Sequence, residues 1–183
     1  FPEAPLGIHC HNDTGTAVAS SLAAIKEGVR HVQGTINGIG ERCGNANLIT
    51  IIPNLILKLG FDVGIEKDKL VKLKKLSRMV DERLNRLSIV NQPYVGESAF
   101  AHKGGLHASG MKKDNRTYEH ISPELVGNER SFIISDQTGK SNIISRLLEI
   151  GIVFDQKDTR LNQLIDIIKN NEYMGYSYDT AEA

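Results

Sequence analysis

Two short segments near the start of the chain carry the apolar patterning of strands. Leu6 to His11 (Leu-Gly-Ile-His-Cys-His) reads as a short buried strand, and His31 to Ile36 (His-Val-Gln-Gly-Thr-Ile) as a second. Between them Val18, Leu22, Ile25 and Val29 recur at helical spacing, which predicts a helix capped by Asp13 or Thr14 and running to Gly28. A glycine-rich loop then leads into an apolar segment from Leu48 to Leu59, where Pro53 conflicts with an uninterrupted helix and predicts a kink or a late start. Strand, helix, strand, loop, helix is the order of a parallel α/β fold.

From Glu66 to Leu87 the pattern becomes that of a charged helix with Leu70, Leu73, Leu76, Val80, Leu84 and Leu87 as its apolar stripe. Its basic residues outnumber its acidic ones, and they read as a solvated face flanking that stripe. Residues 88–115, rich in glycine, serine and histidine, read as irregular and chemically active, as loops often are. A short strand is expected at Phe132 to Ser135, then a helix from Ser141 to Glu149 ended by Gly151. A last helix carries Leu161, Leu164, Ile165 and Ile168, and the two helices together read as a compact subdomain.

Composition narrows the function classes. The 183 residues suffice for one domain or two small ones, with 22 basic against 22 acidic residues and only 5 % aromatics. Neither a basic footprint nor a stacking platform is present, which argues against nucleic acid as a partner. No apolar run approaches the roughly 20 residues of a membrane span, so no membrane partner is expected and a cytoplasmic location is. The two cysteines, Cys10 and Cys43, cannot build a disulfide framework and lie in no Cys-x-x-Cys spacing, so both are expected reduced. The chain opens at Phe1, directly before a strand, which suggests a truncated or processed piece.

His9 and His11 are two apart at the end of a strand, so period-two alternation puts both imidazoles on one face while Cys10 turns inward as a small buried residue. Neutral imidazoles so placed form a chelating pair suited to zinc, manganese, iron and similar ions, and a catalytic site would add an oxygen donor and an open position. In parallel α/β folds ligands bind at the carboxyl ends of strands, where this pair lies. The next strand runs into Asn37-Gly38-Ile39-Gly40-Glu41-Arg42-Cys43-Gly44-Asn45 on the same rim. Its three glycines admit close backbone approach, and Glu41, Arg42 and Asn45 offer charge and an amide to the same cavity.

These two runs, together with Ala101-His102-Lys103-Gly104-Gly105-Leu106-His107 and Tyr118, resemble the 2-isopropylmalate, homocitrate and citramalate synthase family of metal-dependent TIM-barrel acyltransferases. The resemblance runs nearly end to end. It implies the last two β/α units of a TIM barrel over residues 1–62, a helical linker subdomain over 63–120, and a small, mostly helical subdomain over 121–183. It implies that His9 and His11 bind a divalent metal (zinc, manganese or magnesium), with Asn45 a ligand or close neighbour. His107 and Tyr118 would serve the acetyl-CoA half of the reaction across a homodimer. Asp13, Glu41 and Arg42 are expected to orient the ligands by hydrogen bonds. The stretches Val126-Gly127-Asn128-Glu129-Arg130 and Ile134 to Asn142 look more like the citramalate branch than the isopropylmalate or homocitrate ones.

The family's early Asp-Thr-Thr-Leu-Arg-Asp-Gly-type motif, which supplies a metal-binding aspartate and a keto-acid-facing arginine, has no counterpart in these residues. The expected parent reaction is condensation of acetyl-CoA with a 2-oxo acid, pyruvate if the citramalate branch holds, in branched-chain amino acid biosynthesis. Two readings from other classes stand beside it: a His-x-His metallohydrolase with water as nucleophile, and an inert structural or dimerisation module.

Overall fold

The computed structural model describes residues 3–102, 110–111, 114–132, 140–149, 151–153, 155 and 158–176. They fall into two compact units, one of Phe1–Ala99 with Pro123–Glu129, the other of Phe100–Ser122 with Arg130–Ala183.

In the first unit, β1 (Gly7–His9) pairs in parallel with β2 (His31–Gln33), in the register Gly7↔His31, Ile8↔Val32, His9↔Gln33. A parallel pair needs a crossover connection, and α1 (Ala17–Lys26) supplies it. The helix buries Ala17 and Ile25 against Ala46, Ile51 and Leu55, with Cys10, Val18, Leu22 and Val32 packed around them. The inward Cys10 expected from strand alternation is observed. Ser21 is also buried, its hydroxyl donating to the Ala17 carbonyl at 2.8 Å.

The helix starts later than the sequence predicts, because both expected caps are engaged elsewhere. Asp13 holds Arg42, and the Thr14 hydroxyl lies 2.9 Å from that of Thr16. The side chain of Asn12 serves instead, its Oδ1 accepting from the backbone N–H of Ala17 at 3.2 Å. The second strand is also shorter than expected. After Gln33 only a single parallel bridge, Thr35↔Asn47, continues it, and Ile36–Gly38 winds into a 3₁₀ turn.

Asn47 caps α2 (Leu48–Pro53) through its side chain, which accepts from Ile49 N–H at 3.0 Å. Pro53 has no N–H to donate, and the winding changes there from α to the π form of Asn54–Lys58, the irregularity its position foretold.

The helix expected over Glu66 to Leu87 divides into a 3₁₀ stretch, Lys67–Lys72, and α3 (Leu73–Arg83). Leu70 and Leu73 are buried as the stripe requires, but Leu84 and Leu87 are 49 % and 96 % exposed. The buried face continues instead through Ser77 and Asp81, because the facing surface is the side chain of Asn37 and is polar. Asn85, at φ +51°, turns the chain away two residues after α3 ends.

In the second unit, β3 (Ala101–His102) pairs in parallel with β4 (Ser131–Phe132). The strand expected at Phe132 to Ser135 thus begins one residue early, and 133–135 lie outside the described residues. Helices α4 (Lys140–Glu149) and α5 (Arg160–Tyr173) pack through Ile143, Ile144, Leu161 and Ile168, with Leu147, Leu164 and Ile165 beside them, which is the helical pair the periodicity predicts. Gly151, at φ +80°, follows α4 and sends its N–H back to the Leu148 carbonyl at 3.0 Å. Among the described residues no helix is long and apolar enough to cross a membrane.

Candidate metal centre at the end of the first strand

Beyond β1 the chain does not stay in the parallel sheet. The backbone N–H of Asn12 donates to the Gly44 carbonyl at 2.8 Å, and that of Ala46 to the Cys10 carbonyl at 2.9 Å. These two bonds flank an antiparallel bridge between His11 and Asn45, making them a non-hydrogen-bonded pair, the type that brings opposed side chains closest on one face. The alternation argument also holds for the histidines. The His9 and His11 rings stand edge to face with centroids 5.3 Å apart, on an exposed rim.

The third candidate is Asn45. Asn45 Oδ1 is buried and has no hydrogen-bond partner. A buried amide oxygen left without a donor costs about 1–3 kcal/mol, so a fold that keeps one needs a reason. The backbone around it is tightly specified. Asn45 N–H donates to the Gly38 carbonyl at 3.0 Å, and Gly44 N–H to that of Glu41 at 2.9 Å. Gly44 sits at φ +86°, and a Cβ there would fall 1.9 Å from the Gly38 oxygen, so only glycine fits. Gly40 lies flat against the Asn45 amide, where an added Cβ would come within 2.7 Å of Nδ2. Two imidazoles, with the Asn45 amide opposite one of them across the bridge, are residue types that would suit a borderline divalent cation and leave coordination positions open. Among the described residues no three His, Cys, Asp or Glu side chains group so as to hold a metal, so no carboxylate joins the set.

Asp13, Glu41 and Arg42 form a surface group beside this centre. The Arg42 guanidinium grips Asp13 through Nε at 3.1 Å and Nη2 at 3.0 Å, and its Nη1 lies 3.4 Å from Glu41 Oε2. That hydrogen-bonded fork is the main cause that holds the Asp13 carboxyl below its ordinary range, and the Cys43 N–H adds to it. Arg42 takes φ +54° to reach it.

The polar anchor of this loop was not foreseen. Asn37, at φ +59°, donates through Nδ2 to the Ser77 carbonyl and to Asp81 Oδ1, both at 2.9 Å. Its Oδ1 accepts from Ser77 Oγ at 2.7 Å and from Gln92 Nε2 at 3.1 Å. All four hydrogen-bonding positions of the amide are used. The signal was available in Asn-Gly, a pair prone to left-handed backbone, and in Ser77 and Asp81 interrupting the α3 stripe four residues apart. A polar cavity of about 480 Å³ opens between the loop and the segment after α3, lined by Asn12, Asn45, Arg42, Arg86 and Gln92 among others.

The remaining candidates belong to the second unit. Tyr118 is 41 % exposed at the end of a tight turn, Asn115–Thr117, which Asp114 caps by accepting from Arg116 N–H at 2.9 Å. His107 lies outside the described residues.

Residues 1–80 match the HMGL-like family, whose fold is a TIM barrel, and residues 94–173 match the family described as homocitrate synthase post-HMGL domain-like. With these two matches in chain order, the protein belongs to the 2-isopropylmalate, homocitrate and citramalate synthase family. It is 57 % identical over 183 residues to an (R)-citramalate synthase of Aquifex aeolicus, covering 100 % of this chain and 34 % of that protein. To an (R)-citramalate synthase of a Synechocystis species it is 51 % identical over 178 residues, 97 % of this chain and 32 % of the relative. A 2-isopropylmalate synthase of Methanocaldococcus jannaschii is 42 % identical over 171 residues, 93 % of this chain and 32 % of the relative. The chain spans about a third of the length of these curated relatives.

Proposed function

We propose that this chain is the carboxyl-side portion of a cytoplasmic, homodimeric acyltransferase that condenses acetyl-CoA with pyruvate to give citramalate, a step of branched-chain amino acid biosynthesis. The observation that carries the reading is the His9–His11 ring pair beside Asn45, which stands opposite His11 across an antiparallel bridge and keeps a buried amide oxygen with no hydrogen-bond partner. In this reading residues 1–62 are the last two β/α units of the barrel, 63–120 a linker subdomain and 121–183 a second small subdomain. His9, His11 and Asn45 hold a divalent cation, zinc, manganese or magnesium, which when bound supplies Lewis-acid polarisation of the keto acid's carbonyl.

His107 takes a proton from the methyl group of acetyl-CoA, with Tyr118 assisting, so that the methyl carbon can bond to the keto carbon. Water then cleaves the thioester and releases the CoA thiol, which makes the sequence irreversible. The Arg42 fork holds the Asp13 carboxyl below its ordinary range, and in this reading Asp13, Glu41 and Arg42 orient ligands rather than react.

Thiol release by a full-length synthase carrying this chain, with pyruvate and with 2-oxoisovalerate, tests the substrate. Apolar pockets discriminate by only about 1–3 kcal/mol per methylene, so a pyruvate preference of roughly 10- to 200-fold in kcat/KM is expected. Preference for the branched acid overturns citramalate in favour of isopropylmalate. Keto-acid-independent hydrolysis would overturn the acyltransferase reading altogether. In the same protein His107→Ala or Tyr118→Phe should lower turnover by about 10²- to 10⁴-fold with keto-acid binding little changed.

A further inference from the structure

The second unit buries a charge cluster to which the proposed chemistry assigns no role. The Glu119 side chain is only 3 % exposed, and Arg130 closes on it as a two-pronged fork, Nε to Oε1 and Nη2 to Oε2, both at 2.6 Å. His102 Nε2 lies 3.5 Å from the same Oε1, its side chain 9 % exposed. These partners come from the two strands of the small sheet, since His102 ends β3 and Arg130 immediately precedes β4. The turn of residues 114–119 is thereby fastened to both strands at one carboxylate. Asn115 adds to the fastening when its amide is oriented with Nδ2 donating to the Met111 carbonyl at 2.8 Å, which lets its oxygen accept from Arg130 Nη2 at 3.2 Å. On the other side of Glu119, the His120 ring stacks on Phe100 with centroids 5.8 Å apart.

The neighbour of this inward-facing anchor in the chain, Tyr118, is 41 % exposed. Its backbone N–H and that of Glu119 both donate to the Asn115 carbonyl, at 3.3 and 3.1 Å, so one turn fixes the two residues while their side chains diverge. The tyrosine ring rests against Gly110, where an added Cβ would fall 2.7 Å from Cε2.

We propose that Glu119, clamped between Arg130 and His102, is the positioning residue for Tyr118, setting the direction of its ring against Gly110. The assignment rests on the reading of Tyr118 as an acyl-CoA-side catalytic residue. Burying an ion pair adds little net stability compared with apolar packing, because desolvation offsets the attraction, so geometric definition is the more economical account of a carboxylate kept at this place. A reacting group displaced by an ångström can lose about 10²-fold in rate while the fold survives.

The test uses the full-length synthase carrying this chain and measures kcat, KM for acetyl-CoA and for pyruvate, and the thermal midpoint. The variants are Glu119→Gln, Arg130→Lys, the double variant Glu119→Gln with Arg130→Gln, and each with and without Tyr118→Phe. The double variant removes both charges together, so no lone ion is stranded if the single one unfolds the unit. The folded Glu119 variants should lose about 10- to 100-fold in kcat with KM for pyruvate within about twofold. Arg130→Lys, which keeps the charge and loses the fork, should fall between them and the parent. Tyr118→Phe should cost at least tenfold less in the Glu119→Gln background than alone. Effects that multiply, or a folded double variant with kcat within twofold of the parent, overturn the positioning role and leave the reading of Tyr118 intact. Tyr118→Phe with unchanged turnover in the parent overturns that reading and this proposal with it.

Discussion

Asn37 Nδ2 and Asp81 Oδ1 meet at 2.9 Å, joining the loop that presents Asn45 to the third α-helix. The bond belongs to a set in which the Asn37 amide satisfies Ser77 Oγ, the Ser77 carbonyl, Asp81 and Gln92 at once. Asn37→Ala removes all four contacts and puts an alanine at φ +59°, so a loss of about 2–4 kcal/mol is expected in urea unfolding followed by circular dichroism. Asn37→Gly relieves only the backbone part and should recover about 1 kcal/mol. In a double-mutant cycle, Gln92→Ala should cost markedly less when Asn37 is already alanine. Additive losses would show that the four contacts do not act as one junction.

The two glycines flanking the loop separate fold from site. An alanine at Gly44 meets a backbone oxygen that cannot move aside, at a positive φ, so Gly44→Ala should destabilise the first unit by about 2–5 kcal/mol. At Gly40 the obstacle is the Asn45 amide, a side chain that can rotate. Gly40→Ala should therefore cost only about 1 kcal/mol in unfolding, yet displace the buried oxygen and weaken zinc binding in calorimetry. If both variants unfold alike and bind alike, the amide is not held in place by the glycine.

The parallel βαβ start, the helical pair at the end and the two-histidine face were legible because each is a local periodicity. Val32 and Ile8 pair as neighbours, and Leu161 and Ile168 meet Ile143 as their spacing requires. What escaped were places where a polar side chain reaches across sequence. The helix cap went to Asn12 because Arg42, 29 residues on, holds Asp13. The α3 stripe failed at Leu84 because Asn37, 40 residues earlier, makes Ser77 worth burying. Likewise the Glu119–Arg130 fork has no periodic signature. His9, His11 and Asn45 were named from spacing and family likeness, but only the antiparallel bridge explains how an amide 34 residues away comes to face an imidazole.

The turn that carries Tyr118 should show its own pH signature. Arg116, hydrogen-bonding through its guanidinium and its backbone N–H, holds the Asp114 carboxyl at about 2, well below the ordinary aspartate range. A depressed folded-state value means that this contribution is complete above pH 4 and disappears as pH falls through about 2. Asp114→Asn keeps the side-chain oxygen that caps the turn but removes the charge. The thermal midpoint of the parent should exceed that of the variant above pH 4, and the gap should close on acidification toward pH 2. A gap that does not change over that interval would assign the Asp114 effect to the cap alone.

Metal binding by the 183-residue chain itself should be weak. Its donors are two neutral imidazoles and one amide oxygen, and among the described residues no carboxylate completes a group of three ionisable ligands. Four-ligand structural zinc sites reach about 10–16 kcal/mol, thiolate charge included, so a set of two or three neutral donors should fall short of the roughly 8 kcal/mol that corresponds to micromolar affinity. Titration calorimetry with zinc and with manganese should therefore give dissociation constants above about 1 µM, with zinc the tighter because imidazole suits it better. His11→Ala should abolish what binding there is, since it removes one ring of the pair and the imidazole opposite Asn45 across the bridge. Asn45→Ala should weaken it further than Cys43→Ser, whose side chain is exposed on the same loop. Submicromolar zinc binding would mean that an anionic ligand joins the set within this chain. Glu41, 82 % exposed and 3.4 Å from Arg42, is the carboxylate to test next, because releasing it from the guanidinium costs little. Loss of that tight binding in Glu41→Gln would move Glu41 from orienting the donors to being one of them.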